Sequence, residues 1–328
     1  MPPSQLSTMP LNISQWEPEA DYGGVFPKGA REKSVYYSPD DVSEYPYLKP
    51  NFRYLFKESF DRYPDQFWAE IIAFKVGSLM GVKVPPTFVS YKKIRSEIIC
   101  GSLIEWFYDE KSPLFVSYFD GGALLGVIIP DFDQKRGTKH NFKDIMKLFS
   151  NISKMENFEL DKTWANDWLK IITFDTIIGN TDRHQNNWGV ITTLVPGEKK
   201  YVVSISPAFD NGTSMGHEIV PHKLINFKSE SRLITYINKG LHHMRWQLGE
   251  DRMSHLDFMK RVFNNIPKSG EFVLELLDFD ISTVESEINA LKKFIIPIPL
   301  ANIRADFILD LICKRVELLS ELAERSMA

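Results

Sequence analysis

"IIGNTDRHQNNWGV", Ile177 to Val190, sets polar side chains between apolar flanks. Asn180, Asp182, Arg183, His184, Asn186 and Asn187 lie between the Ile177–Ile178 pair and Trp188. Burying such groups is costly unless each finds a partner. The stretch is therefore either a turn that satisfies itself or a site, and its neighbours argue for a site. Before it, "DKTWANDWLKIITFDTIIG" has a helical pattern, with Trp164, Trp168, Ile171 or Ile172, and Ile178 on a buried stripe that ends at Gly179. After it, "NWGVITTLV" and "KKYVVSISP" read as strands split by the turn "PGEK", a candidate hairpin. "SPAFDNGTS" follows, so the hairpin can return Asp210 to Asn187. Two carboxylates and an amide oxygen make a hard-oxygen site suited to magnesium shared with a phosphate. Asp182 would then be free to receive the proton of an attacking hydroxyl. An Asp, an Asn five positions on and a second Asp after a hairpin form the part list for phosphoryl transfer.

The preceding segments supply the rest of that list. "NFRYLFKES" alternates like a strand and carries Lys57; "YPDQFWAEIIAFKVGSLMG" reads as a helix carrying Glu70, with Pro64 in its first turn and Gly81 at its stop. A strand Lys paired with a Glu on the following helix holds the α- and β-phosphates of ATP. "GGVFPKGAREK" precedes the strands and can cover phosphates with backbone N–H groups. "VKVPPTFVSYKK" and "EIICGSLIEWF" read as two more strands, and "LIEWF" falls where the chain would cross between lobes. Backbone groups of Glu105, Trp106 and Phe107 would there meet adenine. From about Pro113 helical patterns dominate. The expectation is an α+β, two-lobed, protein-kinase-like fold: an N-terminal arm over 1–20, a β-rich nucleotide-binding lobe over 21–110 and a helical catalytic lobe over 111–328.

Taken singly, these pieces have plainer readings. A lone Lys or Glu is usually solvated surface, Gly-Gly is usually a turn, and "FDNG" alone is an Asx turn. Asp175, on the otherwise apolar stripe, fits a loop cap or a boundary position. His217, His222, His242, His243 and His255 show no metal-ligand spacing. The order of the pieces is what carries the reading.

Composition narrows the classes. The chain has 328 residues, 43% of them hydrophobic, enough for two lobes. A net charge of -4 lacks the basic excess of a nucleic-acid binder, so no direct nucleic-acid binding is expected. Cys100 and Cys313 are far apart and form no disulfide framework. The apolar run "GGALLGVIIP" is too short to span a bilayer, and "MPPSQLSTMPLNIS" lacks the basic and apolar regions of a signal peptide. A cytoplasmic protein is expected, with secretion as an effector left open.

On these residues the chain resembles the HipA-like serine/threonine kinases of bacteria, especially their compact CtkA-type members. "GNTDRHQNNWG" is similar to their catalytic loop, "KGAREKS" to their phosphate loop, "YLFK" and "WAE" to their strand-Lys and helix-Glu segments, and "FDNG" stands where their metal-binding Asp lies. The Asp-Arg-His-x-x-Asn order is shared with phosphoinositide kinases, a lipid-kinase alternative. A nucleotide-binding regulator without turnover is a further one. The resemblance implies ATP and Mg2+ as cofactors, Asp182 as catalytic base with His184 orienting the loop, and Asn187 and Asp210 as magnesium ligands. It also implies Lys57 and Glu70 on ATP, with Gly29, Ala30 and Arg31 facing the phosphates. It further implies a protein substrate with a Ser/Thr acceptor, autophosphorylation, and a toxin–antitoxin setting with a cognate antitoxin. Two departures stand out. HipA toxins carry a further N-terminal subdomain, expected here to be absent or supplied by a small partner chain. Their inhibitory autophosphorylation serine is matched by Phe26, so self-modification is expected elsewhere, with Ser34, Ser38 and Ser59 as candidates.

Overall fold

The computed structural model describes residues 5, 8–19, 33–109 and 112–327. The candidate phosphate loop, with Gly29, Ala30 and Arg31, lies outside them, as does Phe26. The first part is built from β1 (Leu11–Asn12), β2 (Glu17–Pro18), β3 (Lys33–Tyr37), β4 (Arg53–Glu58), α1 (Phe67–Leu79), β5 (Thr87–Ile94) and β6 (Glu97–Glu105). Among the described residues these strands form one six-stranded sheet in the order β1-β5-β6-β4-β3-β2.

Alternation along β4 decides what the sheet does. Tyr54 and Phe56 face a small core with Leu11, Ile13, Trp16, Phe88 and Leu103. Lys57 turns to the other face, toward α1, held in register opposite Lys33 on β3 and Ser102 on β6. Helix α1 is apolar nearly all round, as expected of a helix enclosed on every side. Phe67, Trp68, Ile71, Ile72, Phe74 and Val76 are all buried between the sheet and later helices. Glu70 is therefore a buried carboxylate on a buried helix, and it requires a partner.

The second part is mainly helical: β7 (Phe115–Asp120), α2 (Gly121–Ile128), α3 (Phe142–Ile152), β8 (Phe158–Leu160), α4 (Trp164–Ile178), β9 (Gly189–Leu194), β10 (Tyr201–Ile205), a 3-10 turn (Pro221–Lys228), α5 (Glu230–Lys239), α6 (His255–Asn265), α7 (Ser269–Leu277), α8 (Ile281–Leu291) and α9 (Asn302–Met327). The mixed α+β, kinase-like fold expected from the sequence is the one found. Helix α4 runs through the core and stops at Gly179, whose φ of 66° is left-handed. A side chain there would be strained and would also meet the Arg315 guanidinium at 2.7 Å. The loop that follows re-enters the core at Trp188, which packs against Trp168 with ring centroids 5.0 Å apart. The β9–β10 hairpin, in register Val190 to Ile205, then brings residues 208–211 back beside the loop.

Local expectations were revised in three places. The hairpin is the centre of a four-stranded sheet, β7-β9-β10-β8, rather than an isolated pair. "FVSYFD" hides this because its strand character comes from pairing with β9 and not from a buried face; Phe115 and Phe119 are exposed. Helix α1 begins at Phe67, past Pro64, and the Phe67 N–H donates to Ser59 Oγ at 2.9 Å. Within the segment read as an arm, some described residues pack on the sheet: Leu11 and Ile13 are buried, and the Trp16 ring meets Tyr54 at 5.8 Å.

Candidate active site

The expected strand Lys and helix Glu meet. Lys57 Nζ donates to Glu70 Oε1 at 2.6 Å, both side chains being almost fully buried, and it also donates to Asp210 Oδ1. The other Glu70 oxygen accepts from the Asn211 backbone N–H at 2.8 Å. One carboxylate on α1 therefore fixes both the strand lysine and the turn that carries Asp210. Asp210 adopts a left-handed φ of 57°, a conformation that side chains other than Gly, Asn and Asp seldom take.

The loop 180–188 is held from below by Arg183. Its Nε and Nη2 donate to the two oxygens of Asp175, at 3.0 and 2.7 Å, in a bidentate pair that is out of contact with solvent. Nη1 donates to Asn187 O at 3.0 Å and to Phe209 O, and Nη2 also reaches Asn211 Oδ1 at 2.6 Å. A single guanidinium thus ties α4, the loop and the return of the hairpin together. Asn180 completes the frame: its Nδ2 donates to Asp175 Oδ1 at 3.2 Å and its Oδ1 accepts from Asp182 N at 2.9 Å.

The upper side of the loop is different. Asn187 Nδ2 donates to Asp182 O at 2.8 Å, which aims Asn187 Oδ1 away from the loop. That oxygen is buried and has no hydrogen-bond partner. A buried acceptor left unsatisfied is what a hard cation uses. With the Asp210 carboxylate brought in by the hairpin, the donor set fits magnesium. Among the described residues no cluster of His, Cys, Asp or Glu has the makings of a metal site. An Asn–Asp pair that shares its ion with a phosphate does not form such a cluster. Burial pushes the Asp182 carboxyl above its ordinary pKa and Asp210 adds to this, while His184, Arg183 and Lys57 pull the other way. His184 is pushed down by burial, against the pull of Asp182 and Asp210. Its Nδ1 accepts from Asn186 N at 3.1 Å, which orients the ring.

At the crossover, Glu105 N donates to Pro86 O at 2.8 Å and Trp106 N to Arg53 O at 3.0 Å, so both amides are used within the lobe. The Glu105 carboxylate is bridged by Lys49 at 2.8 Å. The Phe107 ring stacks on Phe209 at 5.0 Å, linking the crossover to the Asp210 turn. Of the candidate modified serines, Ser38 is buried and donates to Lys49 O at 2.6 Å, and Ser59 Oγ is engaged by α1.

Lys57, Glu70, Asp210, Asn187, Asp182 and His184 are thus gathered in one place. Sequence reading missed the centrality of Arg183 and Asn211. Asn211 looks like an ordinary turn residue in "FDNG". The signal for Arg183 was present in Asp175, a lone acid on an apolar helix stripe that needed a buried cation.

A β-rich lobe whose buried lysine is clamped by a helix glutamate, set over a helical lobe with a polar loop and hairpin, defines a protein-kinase-like fold. The model of the HipA-like C-terminal domain matches residues 25–267, and the chain belongs to that family. The structure is similar to that of the Helicobacter pylori proinflammatory kinase CtkA, with a TM-score of 0.72 at 17% identity, over 96% of this chain and 99% of that one. A weaker likeness, TM-score 0.46 at 13% identity, over 94% of this chain and 67% of that one, is to Shewanella oneidensis HipA in its complex with HipB and operator DNA. The Golgi casein kinase matches with a TM-score of 0.42 at 12% identity, over 91% of this chain and 72% of that one. No curated protein matches by sequence. Among the described residues, no helix is long and apolar enough to cross a membrane.

Proposed function

We propose that this chain is an ATP- and magnesium-dependent protein serine/threonine kinase that also phosphorylates itself. The observation that carries the reading is the buried, unpartnered Asn187 Oδ1 beside Asp182 and Asp210, within a frame that also holds Lys57 on Glu70. Lys57 is placed to neutralise the α- and β-phosphates, and Glu70 keeps it extended toward them. Asn187 and Asp210 would hold magnesium, which when bound offsets charge on the transferred phosphate. Asp182 accepts the proton of the attacking hydroxyl, and its burial raises its basicity for that task. His184 sets the loop's shape through Asn186. At the crossover, backbone groups of Glu105, Trp106 and Phe107 would meet adenine, with Gly29, Ala30 and Arg31 facing the phosphates. A cytoplasmic site of action and an antitoxin partner are what the family resemblance implies.

The test is incubation with γ-labelled ATP and Mg2+ in the presence of mixed protein acceptors and, separately, phosphoinositide vesicles. Label on protein Ser or Thr, lost with EDTA, is expected. Label on lipid alone would move the chain to the lipid kinases. ATP binding with no transfer to any acceptor or to the chain itself would make it a regulator.

A further inference from the structure

Arg245 and Arg252 lie in the segment between α5 and α6, pinned to the rest of the lobe by bridges from Leu241 to Ser254 and from Asn141 to Arg245. Arg183, Arg261 and Arg304 of the helical lobe face carboxylates, Asp175, Glu250 and Asp65 in turn, while the buried Arg315 lies inside the core and donates to Thr176 O. Arg245 and Arg252 have no carboxylate partner among the described residues. Arg245 Nη1 is buried and makes no hydrogen bond. Both side chains are half-buried, but Arg245 Nη1 is shut off from water and from any acceptor, and a guanidinium N–H so placed favours an arriving anion.

The two arginines sit beside the catalytic loop. Arg252 Nη2 lies 3.0 Å from His243 Nε2, and the His243 ring centroid is 5.8 Å from that of His184, two residues from Asp182. Burial and the neighbouring Arg245 both disfavour the charge on Arg252, and Asp182 is the acid that opposes them. Trp188 Nε1 donates to His140 Nε2 at 3.0 Å, and His140 Nδ1 faces His243 Nδ1 at 3.5 Å. Each neutral imidazole carries one N–H. Trp188, the two rings and Arg252 therefore bring four N–H groups to three contacts that hold two lone pairs, so one contact sets N–H against N–H. The chain is relieved if Arg252 turns its N–H toward an external acceptor.

We propose that Arg245 and Arg252 form an anion-binding subsite on the acceptor side of Asp182. The subsite takes the carboxylate or phosphate of a residue flanking the hydroxyl that is phosphorylated. This rests on the kinase reading for its role, but the site itself can be detected without turnover. It makes the preferred substrate an acidic or already phosphorylated segment. Bidentate guanidinium recognition would fix that segment's register against Asp182.

The test uses the full chain and fluorescent serine-centred peptides. Each carries one Gln, Glu or phosphoserine, placed at successive positions on either side of the central serine, and binding is followed by anisotropy. At one position the Glu or phosphoserine peptide should bind at least about tenfold tighter than the Gln peptide, as a charge-assisted contact allows. The preference should vanish in Arg245→Ala/Arg252→Ala and persist in Arg261→Ala, whose guanidinium is already paired with Glu250. Arg252→Gln, which keeps a long polar side chain on His243, should also lose most of it, and it serves if the double variant fails to fold. Tighter binding of both charged peptides gives carboxylate as sufficient; tighter binding of phosphoserine alone assigns the site to a primed substrate. Equal affinity for all three peptides in the wild type, or a preference that survives both arginine variants, overturns the proposal. A preference that holds in a protein unable to transfer phosphate leaves the subsite standing and removes only the kinase role.

Discussion

Two buried ion networks meet under the same hairpin, and they are built on opposite plans. The lower one, Arg183 with Asp175, is neutral and closed. Every guanidinium nitrogen of Arg183 has an acceptor, and those acceptors come from the helix, the loop and the hairpin return. The upper one has Lys57 between the carboxylates of Glu70 and Asp210, with Asp182 close by. It also contains the unpartnered Asn187 oxygen. A closed network fixes the chain, whereas one with an unsatisfied acceptor has affinity left over for a ligand. The two layers meet at adjacent residues, Asp182 above and Arg183 below.

The largest effect should come from breaking the lower network. Arg183→Ala leaves Asp175 buried and unpaired and is expected to lose about 3–5 kcal/mol of stability. Chemical denaturation reads this directly, and activity should fall in step with the folded fraction. An Arg183→Ala protein as stable as wild type would remove the distinction between the layers. Breaking the upper layer should act on rate instead. Asp182→Ala is expected to lose roughly 10²–10⁴-fold in phosphotransfer, with its melting temperature and ATP affinity close to wild type. Near-normal transfer by a folded, ATP-binding variant would show that the base is elsewhere.

Acidity tests the closed layer from beneath. His242 is buried and its pKa is pushed down to about 3 by loss of solvent. It stays neutral in the folded protein, while in the unfolded chain it takes up a proton below about pH 6.5. The unfolded state then binds more protons, so stability falls as pH drops from 6.5 toward 3. At pH 5 the loss from this residue is about 2 kcal/mol, and His242→Gln should flatten that part of the stability–pH curve. A curve unchanged by the substitution would mean that His242 is charged in the fold. The smallest effect on stability is expected for Asp210→Asn. Asparagine accepts the left-handed backbone at this position, so stability without metal should change by less than about 1 kcal/mol. The extra melting temperature given by magnesium with ATP should disappear. A full magnesium-dependent shift in Asp210→Asn would separate that carboxylate from the metal.

The upper layer was the legible one. Lys57, Glu70, Asp182, Asn187 and Asp210 are unusual residue types for their local patterns, and their order along the chain is what carried the reading. The closed layer was harder to read, because Arg183 takes its partners from Asp175, Phe209 and Asn211, and no local period links these positions. Strand β7 was hidden for a similar reason: its partner β9 is remote and its own side chains are half exposed. The Arg245–Arg252 pair left no mark at all, since an arginine in a loop reads as surface until its neighbours are known.

The short N-terminal segment has a consequence for handling the protein. Leu11–Asn12 lies along β5 at one end of the six-stranded sheet, and Glu17–Pro18 lies along β3 at the other. A stretch of chain a few residues long therefore guards both outer rims. Cutting it away would bare two ladders of unpaired N–H and C=O groups at once, each a template for another molecule's strand. The damage would appear first as aggregation, so a truncated protein that fails an activity assay could be reporting self-association rather than any change in its chemistry.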